Sequence, residues 1–309
     1  MARNIPNGVW PTMVTPFTGA GEVDYAALEA LVDWYIGQGV HGLFAVCQSS
    51  EMFYLSLEER VRIARFVVES AGGRVPVIAS GHVSDGEDEQ AEELLRMADT
   101  GVEAVVLVSN RLAAPEEGDG IWLERALRLL DRVPGVQFGV YECPYPYKRL
   151  MTPQLLRQCA DTGRFSFLKD TCCDAGQLAA KLDAVKGSSL SIFNANSATL
   201  LASLRLGAAG FSGVMANFHP DLYVWLTEHW SSQPKTAETV QAYLGAASLI
   251  ELQQYPVNAK YHLQRSGLPL ELHCRSKDAE AFKANHRLEV EQLDALYRLV
   301  RKQLTAATA

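Results

Sequence analysis

The chain has 309 residues, 48% of them hydrophobic and 21% charged, and 28 Lys and Arg against 36 Asp and Glu give a formal charge of −8. With no low-complexity block and no run of about 20 apolar residues, this composition excludes a disordered chain and a membrane-spanning one. Acidity without a basic stripe also speaks against nucleic acid and leaves a small molecule as the expected ligand.

The opening MARNIPNGVWP lacks the apolar core of a signal peptide, so a cytoplasmic location is expected. Eight short apolar runs follow: GVWPTMVTPF from Gly8, HGLFAVC from His41, VPVIASG from Val75, AVVLVS from Ala104, QFGVYECP from Gln137, FSFLKD from Phe165, SLSIFNA from Ser189 and AGFSGV from Ala209. Most lack polar alternation, which is the pattern of strands covered on both faces and therefore paired in parallel. Amphipathic segments lie between them. Tyr25 to Gln38 puts Leu28, Leu31, Val32 and Tyr35 on one face, and Leu57 to Ser70 does the same with Leu57, Val61, Ala64 and Val68. Asp24, Ser56, Ser84, Asp174 and Ser197 stand where N-caps belong, and Gly39, Gly72, Gly101 and Gly207 where helices stop.

Alternating strand and helix signals at intervals of roughly 30 and later roughly 20 residues describe a (β/α)8 TIM barrel over residues 1–233. A doubly wound sheet is less economical, because no GxGxxG follows the first run. From Pro234 onward only helical patterns remain, at Ala237 to Leu252, Pro256 to Arg265 and Asp278 to Leu304. Residues 234–309 are therefore expected to form a helical C-terminal extension. The six cysteines form no CxxC pair and no cluster with histidine at zinc spacing, so free thiols and no metal are expected.

In such a barrel the chemistry lies where the strands end. This nominates Thr15; Gln48, Ser49, Ser50 and Glu51; Ser80 and His82; Ser109 and Asn110; Tyr141 and Glu142; Lys169 and Asp170; Asn194 and Asn196; and Ser212. Of nine lysines, Lys169 alone closes an apolar strand run. A desolvated ammonium loses its proton more readily, and the free amine attacks carbonyls, which is the requirement for a Schiff base. The competing reading is an ion pair with Asp170 or Glu142, or snorkelling at the rim. Tyr141 closes the neighbouring run and suits proton transfer beside an imine. The CQSSE turn offers a nest of donors for a carboxylate, Glu51 reads chiefly as a tie holding that turn, and His82 is a secondary acid/base candidate. The EDEQAEE run near Glu87 reads as a solvated helix start.

These motifs together resemble the dihydrodipicolinate synthase / N-acetylneuraminate lyase family: PTMVTPFTGAGEVDYAALEALVDWYIGQGVHGLFA, QSSE before LSLEER, Tyr141 in YECP, Lys169 in FLKD, GAAGFSGVMANFHPDL and NAKYHLQRSGL. The resemblance implies a class I pyruvate aldolase or lyase, a homotetramer without metal or organic cofactor. By position it makes Lys169 the Schiff-base lysine and Tyr141 the proton-relaying tyrosine. The carboxylate-binding turn, GTTGE or GSTGE in the family, falls on Cys47 to Glu51. There Ser49 keeps the second hydroxyl, Gln48 replaces the first, Ser50 replaces a glycine, and Ser212 is the strand 8 position whose backbone carbonyl faces substrate.

Two departures bear on the substrate. The relay tyrosine after strand 4 of dihydrodipicolinate synthases is matched by Ser109, and their arginine after strand 5 by Pro146, with Arg149 out of register. The expected activity is therefore a Schiff-base lyase or aldolase acting on pyruvate or a longer 2-oxo acid, and not a typical dihydrodipicolinate synthase. Glu142, Tyr145, Tyr147 and Asn196 are left to contact another acceptor. The alternatives are a dehydratase of a 3-deoxy-2-oxo sugar acid and a non-catalytic relative that binds a 2-oxo acid.

Overall fold

The computed structural model describes residues 5–308. Eight strands alternate with helices: β1 (Gly8–Val9), β2 (Leu43–Phe44), β3 (Val77–Ala79), β4 (Ala104–Val108), β5 (Gln137–Tyr141), β6 (Phe165–Asp170), β7 (Ser191–Asn194) and β8 (Gly210–Phe211). Each lies inside one of the eight apolar runs. All pairings are parallel, in the order β1-β8-β7-β6-β5-β4-β3-β2. A parallel bridge between Thr12 and Phe44 brings the first strand against β2 and closes the ring. The chain is a (β/α)8 barrel.

The outer layer comprises α1 (Tyr25–Gly37), α2 (Leu57–Ala71), α3 (Glu87–Ala98), α4 (Asp119–Arg132), α5 (Pro153–Asp161), α6 (Ala175–Ala184), α7 (Leu200–Arg205) and α8 (Pro220–His229). Beyond them lie α9 (Pro234–Ala247), α10 (Val257–Arg265) and α11 (Ala284–Thr308). Among the described residues no helix is long and apolar enough to cross a membrane.

Three expected caps are made: Asp24 accepts from the Ala27 N–H, Asp174 from that of Gln177, and Ser56 forms a reciprocal capping box with Glu59. Two are not. The Ser84 hydroxyl donates to Glu93 while Gly86 begins α3, and the Ser197 hydroxyl pairs with Tyr223 while Thr199 begins α7. The acidic start of α3 is likewise only partly solvated, since Gln90 and Glu93 are buried and Glu93 binds Arg60 at 2.9 Å.

Aromatic side chains fill the barrel below the C-terminal ends of its strands. Phe167 stacks on Phe193 at 4.5 Å between ring centres, and Trp10 meets both edge-on. Phe44 packs edge-on against Phe167 and against Tyr141 one layer higher. At the β1–β8 seam the backbones approach so closely that a Cβ on Gly210 would stand 1.9 Å from the Gly8 carbonyl oxygen. Only glycine fits there.

Candidate active site

Side chains alternate across a strand, so Phe167 and Lys169 share the barrel-facing side of β6 while Leu168 and Asp170 face the helices. The register pairs Tyr141 with Lys169 directly, and the lysine ammonium lies 4.4 Å from the centre of the tyrosine ring. Both residues are buried, yet both line a cavity of about 570 Å³ at the C-terminal end of the barrel. Burial holds the Lys169 ammonium pKa below its ordinary value, and among the described residues no carboxylate forms an ion pair with it. Burial also pushes the Tyr141 phenol up, so it stays protonated and able to donate.

The ion pairs considered for Lys169 belong to another lysine. Lys181 of α6 reaches Glu142 and Asp170, 2.6 Å from each. Glu142 also accepts from the N–H groups of Met151 and Thr171, at 2.8 Å each, so this carboxylate sits behind the sheet and away from the cavity.

The turn after β2 supplies the opposite wall. The Tyr141 hydroxyl donates to the Gln48 side-chain oxygen at 3.1 Å. The Ser49 hydroxyl donates to Thr12 at 3.2 Å. Among the described residues, the backbone N–H groups of Gln48 and Ser49 find no partner, whereas those of Ser50 and Glu51 close the turn onto Cys47 and Gln48. Two such N–H groups are an anion nest. Ser50 does not line the cavity: its hydroxyl donates to the carbonyls of Met13 and Ala45 and accepts from the Cys47 N–H, riveting the turn from below. The left-handed position falls on Glu51, at φ 62°. Its carboxylate accepts from the N–H groups of Arg275 and Ser276, at 2.7 and 2.6 Å, and from Lys260 at 3.2 Å. Glu51 is thus a tie, and what it ties is the C-terminal extension.

Several nominated residues lie outside the cavity. His82 is fully buried, accepts from the Val108 N–H through Nδ1, and is held neutral by burial, its pKa down at about 4. Ser212 is buried with an unpartnered hydroxyl. The Ser109 hydroxyl donates to the Arg149 carbonyl at 2.7 Å, and Asn110 bonds the carbonyls of Cys143 and Tyr145, so both pin down the loop after β5. Arg149 points into that loop's base, bonded to the carbonyls of Ala114 and Glu117 and to Asp119. Tyr147 caps the Asn110 carbonyl, whereas Tyr145 and Asn196 do reach the cavity.

Residues of the extension complete the wall: Glu251, Leu252, Tyr255, Pro256, Ser276 and Lys277. None was a strand-end candidate, so a rule that inspects only strand ends passes over them. The Tyr-Pro step after the 237–252 helical pattern is the signal that the chain turns there. At the mouth, Phe53 and Tyr145 pack edge-on at 5.0 Å.

A model of the dihydrodipicolinate synthetase family matches residues 5–293. Curated relatives include a 4-hydroxy-tetrahydrodipicolinate synthase of Anaplasma marginale (strain St. Maries), 28% identical over 84% of this chain and 85% of that one. Another is that of Jannaschia sp. (strain CCS1), 30% identical over 70% of this chain and 72% of that one. Among solved structures, a dihydrodipicolinate synthase from Bacillus anthracis superposes with a TM-score of 0.85 at 18% identity, covering 94% of this chain and 98% of the other. A prophage protein of E. coli K12 from the dihydrodipicolinic acid synthase family, solved in complex with pyruvate, gives 0.84 at 23% identity, covering 96% and 98%. At these identities the superpositions speak for the fold.

Proposed function

The chain belongs to the dihydrodipicolinate synthetase family, an enzyme family of lyases, and from that premise we propose that it is a Schiff-base-forming lyase acting on pyruvate or a longer 2-oxo acid. The observation that carries this reading is the buried Lys169 amine, which forms no ion pair among the described residues and opens into the cavity beside Tyr141. In this reading the amine attacks the ketone carbon, the carbinolamine loses water, and the resulting iminium takes up the electron pair of a breaking C3–C4 bond; in the forming direction the iminium first loses a C3 proton, and the enamine so made donates its C2–C3 pair to the acceptor. Tyr141 donates to the departing hydroxyl. The free N–H groups of Gln48 and Ser49 receive the carboxylate, with the Ser49 hydroxyl beside them. Ser50 acts through the backbone its hydroxyl holds, and Ser212 through its own backbone carbonyl.

The same geometry supports an activity other than that of a typical dihydrodipicolinate synthase. Gln48 puts an amide where the family's relay has a hydroxyl, and an amide passes protons poorly. The Ser109 hydroxyl is spent on a carbonyl. Among the described residues no arginine lines the cavity to grip a second carboxylate. The aromatic mouth of Phe53 and Tyr145 suits an acceptor with an apolar face.

The proposed division into a barrel over residues 1–233 and an extension over 234–309 is one of folding units around one site, since both line it. A cytoplasmic homotetramer needing no metal or organic cofactor completes the proposal. The test is to mix the protein with pyruvate and borohydride and map the reduced adduct by mass spectrometry. One adduct on the peptide holding Lys169, absent in Lys169→Ala, is the expected result; no adduct with pyruvate or longer 2-oxo acids overturns the reading.

A further inference from the structure

Glu251 is the acidic group of the cavity that nothing else occupies. It lies in a 3-10 turn, Ser248–Leu252, that continues α9 and carries the extension back over the open end of the barrel. It lines the same cavity as Lys169 and Tyr141. Among the described residues its carboxylate accepts no hydrogen bond, in contrast to Glu51, Glu142 and Asp170, which are each held by backbone N–H groups or a lysine. A carboxylate left without a partner in a partly buried wall is costly unless it faces a positive charge. The charge it faces is Lys169.

Imine chemistry on a 2-oxo acid needs a second proton carrier. Tyr141 serves the carbinolamine, but its hydroxyl ends on the Gln48 amide, and among the described residues no further hydroxyl continues the chain from there. We propose, resting on the imine reading above, that Glu251 is the catalytic base that takes the C3 proton of the imine formed at Lys169, and the acid that returns it. The C3–H bond breaks and its electron pair becomes the C2–C3 double bond. The C=N π pair returns to the lysine nitrogen, and the proton resides on a Glu251 carboxylate oxygen. No other reactant is required. The iminium keeps the positive charge that the carboxylate faces in the free enzyme, so the carboxylate remains compensated until it accepts the proton. Burial raises the Glu251 carboxyl above its usual range, making it a stronger base than an exposed glutamate. The titratable groups facing it are Lys169 of β6, Tyr255 and Tyr223, with Lys148 and Lys277 on the far cavity wall.

Pyruvate in deuterium oxide tests this without knowledge of the acceptor. Proton NMR of the methyl group should show its exchange for deuterium in the parent protein. Glu251→Gln should slow exchange by about 10² or more, the range of a lost general base, while the borohydride adduct at Lys169 forms as before. The exchange rate of the parent should rise with pH through a carboxyl pKa, and that limb should vanish in the variant. In Glu251→Ala, added formate should restore part of the exchange, which no purely structural role would allow. Exchange in Glu251→Gln within threefold of the parent, or an adduct without exchange in the parent, overturns the proposal. Absence of the adduct in the parent instead removes the imine reading itself, and this inference with it.

Discussion

Lys169 and Lys181 are both buried, lie within two layers of the same strand, and have opposite surroundings. Lys181 is clamped between Glu142 and Asp170 and holds β5 and β6 to α6. Lys169 has an aromatic ring on one side and open cavity on the other. The separation is one residue of strand register: Tyr141 and Lys169 face inward, Glu142 and Asp170 outward. The carboxylates that follow Tyr141 and Lys169 in the chain are thereby turned to the back of the sheet, where a second lysine occupies them. The reactivity proposed for Lys169 depends as much on what Lys181 engages as on what surrounds Lys169.

Exchanging the roles of the two lysines should break this comparison most sharply. Lys169→Ala removes a group with no ion-pair partner among the described residues, so folding should survive while the borohydride adduct is lost entirely. Lys181→Met leaves two buried carboxylates uncompensated and should cost about 3–5 kcal/mol in urea unfolding, with the adduct still forming in whatever protein remains folded. If Lys181→Met also abolishes the adduct at temperatures where it is folded, the two lysines are not separable and the comparison fails.

Tyr141→Phe sharpens the reactive side. It keeps the ring beside Lys169 and removes the hydroxyl, so the rate of adduct formation should drop by about 10²–10⁴ with stability nearly unchanged. A drop under threefold would assign the proton to another donor.

A separate effect concerns buried groups kept neutral. Burial holds His82 and His219 at about 4 against an ordinary 6.5, so the unfolded chain takes up protons below about pH 6.5 that the folded chain refuses. Stability should therefore fall as pH drops from 6.5 towards 4, by on the order of 3 kcal/mol for each histidine. Urea midpoints at pH 7 and 4.5 check this, and His82→Gln should flatten the slope.

The barrel was legible because continuous apolar runs and a period of three to four are written locally, residue by residue. Lys169 stood out for the same reason: it is a charge closing an apolar strand. The partner of Asp170 and Glu142 was not legible, since Lys181 looks like any helical lysine until α6 is docked. Glu251 was hidden differently. The helical pattern from Ala237 to Leu252 holds to Ala247 and then tightens into a 3-10 turn, and that change of pitch, which periodicity does not resolve, turns Glu251 to the cavity. The misplaced caps at Ser84 and Ser197 have a common cause, a hydroxyl recruited by a distant side chain.

The tie between Glu51 and the N–H groups of Arg275 and Ser276 also sets an order of events during synthesis. The turn that would receive the carboxylate emerges early, but its anchor is translated more than 200 residues later. On a growing chain all eight strand segments are therefore complete before this turn can gain its clasp.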